Sequence, residues 1–140
     1  MINYKFILTA TLTYIPYTIL WFFWHNNVFH KLYYSVPSLY SMNEQNIWAM
    51  NIANALLVYG FVYFYFKSVK TETKLYNSIL WSVYYNLSVI GFFSFILIGM
   101  FKEWSFKILI HDLIWAVIGG AISGVLCYIF YLKLRKTLRS

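Results

Sequence analysis

Charge is what this sequence has least of. Only 11% of its 140 residues are Asp, Glu, Lys or Arg, against roughly 25% in an ordinary soluble domain, while 61% are hydrophobic and 24% aromatic. That balance excludes a typical soluble enzyme. Acids are scarcest: Glu44, Glu72, Glu103 and Asp112 face 11 Lys and Arg, for a net charge of +7. The single cysteine, Cys127, forbids an intrachain disulfide and supplies neither a zinc-ligand spacing nor a redox pair. No phosphate-binding glycine loop, dinucleotide fingerprint or Gly-x-Ser-x-Gly elbow occurs, so nucleotide and serine-hydrolase chemistries have no residues to stand on. No catalytic residue and no cofactor is expected. The basic excess lacks a polar tract that could read nucleic acid, so no nucleic-acid partner is expected either.

What the chain does have is long stretches free of charge. A membrane-spanning helix needs about 20 predominantly apolar residues to cross a hydrocarbon core of about 30 Å. Four runs qualify: 6–24, 46–66, 75–101 and 106–132, the last containing Lys107 and the pair His111 and Asp112. A transmembrane β-barrel would need segments of about ten residues alternating between two faces, and these runs are continuously apolar. Helices also satisfy every backbone N–H and C=O within their own segment, as lipid demands. The connections 67–74 and 102–105 are short enough for antiparallel neighbours. The expected fold is therefore all-α, one transmembrane domain over residues 1–140 forming an integral membrane four-helix bundle.

The connection from His25 to Gln45 adds an element. Val28, Phe29, Leu32, Tyr33 and Val36 recur at helical spacing, opposite Asn26, Asn27, His30, Lys31 and Ser35. This predicts an amphipathic helix in the membrane interface over about 26–36, ended by Pro37. Pro16 predicts a kink in the first span. No small-residue cleavage site follows that span, so it reads as retained.

Lys and Arg in short flanking segments favour the cytoplasmic side. The N-terminus, the second connection and the C-terminus share one side and hold Lys5, Lys67, Lys70, Lys74, Lys133, Arg135, Lys136 and Arg139. Only Lys31, Lys102 and Lys107 fall on the other. Both termini are expected in the cytoplasm, and Trp21, Trp24, Trp48 and Trp104 then form an aromatic belt at the outer boundary.

Asp112 is the one acid inside a span, and intramembrane carboxylates are costly enough to mark function by default. Steps of four from it reach Ala116, Gly120 and Gly124, a stripe of small residues with the GxxxG spacing that lets helices approach closely. Asp112 is thus expected to face protein, with His111 and Trp115 beside it. Trp115, Gly119, Ser123 and Cys127 extend the packing face. Uncharged polar residues occupy the other spans: Thr9 and Thr13, Asn51 and Asn54, then Ser78, Ser82, Tyr85 and Asn86. They serve either as interhelical hydrogen-bond partners or as a hydrophilic pathway, the latter if Asn51, Asn54 and Asn86 converge on Asp112. His25, His30 and His111 all fall on the outer side, where imidazoles and a carboxylate could ligate zinc or copper. Their spacing offers no His-x-x-x-His pair, so ordinary interfacial histidines are the plainer reading.

The segment from Trp104 to Trp115, with Trp, seven residues, Asp, two residues and Trp, resembles the start of the last span in small four-helix bacterial inner-membrane proteins grouped as domains of unknown function. Tyr59, Gly60 and Phe64, and Trp24-His25 followed by Phe29 and Tyr33, are similar to features of such proteins. The resemblance covers about half the chain and implies a four-helix architecture in the bacterial inner membrane. Three functions remain as expectations. The first is a non-enzymatic membrane component packing through the fourth helix with a second copy or a partner membrane protein. The second is a small transporter or channel using Asp112, and the third a membrane metalloenzyme built on the outer histidines.

Overall fold

The computed structural model describes residues 4–28, 30–33, 47–68, 74–102 and 104–137. Regular structure among the described residues is entirely helical: α1 (Tyr4–Phe23), α2 (His30–Tyr33), α3 (Ile47–Ser68), α4 (Leu75–Met100) and α5 (Phe106–Thr137). Four helices are long and apolar enough to cross a membrane, and their apolar lengths, Tyr4–Val28, Trp48–Ser68, Leu75–Met100 and Phe106–Leu134, track the charge-free runs of the sequence. At about 1.5 Å per residue, the 26 residues of α4 span roughly 39 Å.

The expected amphipathic helix over 26–36 takes a different form where it is described. Trp24–Val28 continues α1 as a π-helical turn, and the short α2 follows. Asn26 and Asn27 therefore belong to the end of the first helix; Phe29, residues 34–36 and the expected stop at Pro37 lie outside the described residues. Pro16 sits within α1, which runs past it without a break.

The α4–α5 hairpin is tight. Phe101 leaves the helix with extended backbone while its N–H still bonds the Leu97 carbonyl at 2.9 Å. Trp104 N–H closes a turn on the Phe101 carbonyl, and Leu109 N–H opens α5 by bonding Ser105 O at 3.2 Å. α4 and α5 share the most extensive interface, α1 lies against α5 and α3, and α3 meets α4 only lightly. The reason is the stripe Ala116, Gly120 and Gly124. A Cβ on Gly120 would stand 2.9 Å from Val83 Cα, and one on Gly124 2.8 Å from Ile79 Cα. Backbone touches backbone there, an approach that small residues alone permit.

Polarity is distributed inside out. Thr9, Thr13, Ser78, Ser82 and Asn86 are buried, while Trp48, Leu56, Met100 and Phe106 stand on the surface. In water such an apolar exterior would be an association liability. The interior gaps are filled by Tyr17, Phe61, Tyr65 and Trp115, with Phe6 of α1 packed edge-on against Tyr59, Tyr63 and Phe66 of α3.

Candidate functional site

Inward faces repeat by steps of four, because residues four apart stack on one side of a helix. On α1 that track runs Thr9, Thr13, Tyr17, Trp21 and His25; on α4 it runs Ser78, Ser82, Asn86, Ile90 and Ser94; on α5 it starts at Asp112 and continues down the small-residue stripe. The tracks meet at one end of the bundle, where α1 and α4 finish and α3 and α5 begin. There the four helices line a half-open cavity of about 290 Å³.

Asp112 is the cavity's acid. It is buried, 8% exposed, and its Oδ2 accepts a 2.8 Å hydrogen bond from Ser94 Oγ on α4. A hydroxyl donor to a carboxylate is a charge-assisted bond, stronger than a neutral one. Asn54 enters the lining from α3; it is 6% exposed and its Nδ2 makes no hydrogen bond among the described residues. The α1 wall is Tyr17, Trp21 and His25, and Trp115 completes the lining from α5. These rings hold one another: Trp21 lies 4.4 Å from His25 at an interplanar angle of 32°, Tyr17 lies 5.6 Å from Trp115, and His25 meets Trp115 edge-on at 6.0 Å. His25 Nδ1 bonds the Trp21 carbonyl at 2.8 Å. A carbonyl can only accept, so Nδ1 carries the proton in that contact. The π turn Trp24–Val28 that presents His25 is a feature common at functional sites.

Below the cavity runs a row of polar contacts, the polar thread. Trp115 Nε1 donates to Tyr17 OH at 3.2 Å, and Tyr17 OH donates to Asn86 Oδ1 at 3.3 Å. Asn86 Nδ2 then donates to the Ser82 carbonyl, whose own hydroxyl pairs with Ser123 Oγ at 2.7 Å. Ser78 Oγ donates to the Gly124 carbonyl at 2.7 Å. The thread joins α1, α4 and α5 along their length.

Of the residues singled out from sequence, Asp112, Trp115 and Asn54 come together in the cavity, and Asn86 lies beneath it through Tyr17. Asn51 parts from Asn54: it accepts from Tyr14 OH at 3.2 Å and lines a separate groove between α1 and α3. His111 is also outside the cavity, its Nδ1 bonded to the Lys107 carbonyl on its own helix. The two histidines therefore do not share a site. The His30 side chain lies outside the described residues, and no group of three or more His, Cys, Asp or Glu able to hold a metal occurs among those described. Ala116, Gly120 and Gly124 pack within the chain, against α4. Sequence reasoning missed Ser94, Tyr17 and Trp21. The signal was available for Ser94 and Tyr17, since each continues by steps of four a polar track already recognised, from Ser82 and Asn86 or from Thr9 and Thr13.

No protein-family model, curated protein or solved structure matches the chain.

Proposed function

We propose that this chain is a four-span integral membrane protein that binds a small polar solute in its outer half and carries it by way of Asp112. The cavity around Asp112 and Ser94 carries this reading: four helices converge on a roomy, largely apolar space holding one ionisable acid and a few polar groups, the usual constitution of a ligand site. Lipid as solvent is supported by the apolar exterior and by the four helices of spanning length. The excess of Lys and Arg at the opposite end supports cytoplasmic termini, and the resemblance around Asp112 supports a bacterial inner membrane. Assembly through the fourth helix is the weaker reading, because α4 already covers the stripe that a second copy would need. The interfacial element after α1 belongs to the same proposal.

Thiol labelling tests it. Ala53 is exposed on the lining of the cavity, whereas Leu56, on the same helix, is 69% exposed on the separate groove that Asn51 lines. With the native Cys127 fully buried, Ala53→Cys in cells is expected to react with a membrane-impermeant methanethiosulfonate from outside. Leu56→Cys is expected to stay unreactive, since lipid suppresses thiolate formation. An inert Ala53→Cys, or equal reaction of the two, overturns the reading.

A further inference from the structure

The cavity's chemistry narrows the solute, on the reading just given that the cavity is a wet, outward-facing site. We propose that it takes a small organic ammonium ion, of the kind in which a substituted nitrogen carries a short arm ending in a hydroxyl. Three features converge. Among the described residues the lining holds one carboxylate, Asp112, and apart from the His25 imidazole no basic side chain. A buried carboxylate on the wall of such a site selects a cation, because it attracts positive charge at close range and repels an anion. The second feature is aromatic. Trp21, Tyr17, Phe93 and Trp115 supply much of the wall, and a ring's negative face attracts an ammonium that is too bulky and too weakly hydrated for a tight oxygen cage. Trp21 and Trp115 are fixed by their stacking with His25 and Tyr17, so the wall is organised before the ligand arrives. The third is Asn54, nine-tenths buried in the lining, whose Nδ2 donor has no protein partner among the described residues. A buried donor left unmade is costly, and a hydroxyl oxygen on the ligand would accept from it.

Other cations fit less well. A divalent metal needs several oxygen or nitrogen ligands at close range, and the described residues hold no such group. A proton alone needs no cavity of about 290 Å³, which is close to the lower bound of known ligand pockets and suits a molecule of a few carbons.

Choline and its uncharged isostere 3,3-dimethylbutan-1-ol are the probes. They share shape and hydroxyl and differ in charge. With the purified full-length protein in nanodiscs, calorimetric titration is expected to give saturable choline binding at least tenfold tighter than the isostere. Asp112→Asn is expected to weaken choline at least tenfold with no loss of the isostere's affinity, and Trp21→Leu to weaken choline several-fold. Trp48→Leu, outside the cavity and 78% exposed, is expected to leave it unchanged. Choline is also expected to protect Ala53→Cys from labelling. Equal binding of the two probes, or an Asp112→Asn variant that is folded by circular dichroism and binds choline as tightly as the parent, overturns the proposal. Labelling of Ala53→Cys without choline binding overturns the ammonium assignment alone; absence of labelling overturns the wet cavity itself.

Discussion

Replacing Gly124 by alanine places a methyl group where α4 already stands. The new Cβ would sit 2.8 Å from Ile79 Cα and 2.8 Å from the Ser78 carbonyl oxygen, whereas carbon atoms rest about 3.5–4.0 Å apart. Neither obstacle is the end of a flexible side chain; both are backbone, so α4 and α5 must separate by roughly 1 Å. That movement also draws Ser78 Oγ away from the Gly124 carbonyl, now 2.7 Å distant, and a bond stretched that far is no longer a hydrogen bond. Overpacking costs about 1–3 kcal/mol and the lost interhelical bond about 0.6 kcal/mol, offset by about 1 kcal/mol from the better helix propensity of alanine. The net destabilisation is about 0.6–2.6 kcal/mol. Gly99→Ala is the control, because a Cβ there meets nothing within 4 Å and the variant gains at most the propensity term. Equilibrium unfolding in mixed micelles, titrated with SDS and followed by far-ultraviolet circular dichroism, compares the two. The expected order is Gly99→Ala at or above the parent and Gly124→Ala below it. If Gly124→Ala unfolds at the same SDS fraction as Gly99→Ala, the close helix contact is refuted.

The other expectations concern the polar thread and the histidines. Tyr17→Phe strands both the Trp115 indole N–H and the Asn86 side-chain carbonyl, and is expected to cost about 1–3 kcal/mol in the same titration; Tyr4→Phe, on the surface, is expected to stay within about 0.5 kcal/mol of the parent. A double-mutant cycle on Ser82→Ala and Ser123→Ala, whose hydroxyls are 2.7 Å apart, is expected to give a coupling of about 0.6–1.7 kcal/mol, and additivity within error would remove that bond from the thread. His25→Ala takes away the ring stacked on Trp21 and touching Trp115, so tryptophan emission is expected to shift. His111→Ala, whose ring lies outside the cavity and bonds the Lys107 carbonyl on its own helix, is expected to leave choline binding as in the parent.

Architecture was readable because it rests on composition and run length, which act locally. A segment such as 75–101 with no charge becomes a helix long enough to cross a bilayer whatever its neighbours do, and α4 ends within one residue of that run. The inward placement of Asp112 was readable for a similar reason: the small-residue steps from Ala116 to Gly124 mark a helix face by geometry alone. The His25–Gln45 connection was harder, since amphipathic spacing from Val28 onward does not reveal that α1 continues through a π turn to Val28.

The sequence by itself determined four apolar helices, one acid within an apolar run and the stripe on which α5 packs, because hydrophobicity and helical periodicity are properties of a single segment. Only the tertiary structure decided who meets Asp112. Ser94 comes to it from α4 and Asn54 enters the same cavity from α3, while Asn51, three residues from Asn54, turns to Tyr14, and His111, the acid's own neighbour in sequence, turns away. Which faces of different helices converge depends on how far each is rotated and which pairs pack closely, and that is set by contacts such as Gly124 against Ile79, between residues far apart in the chain.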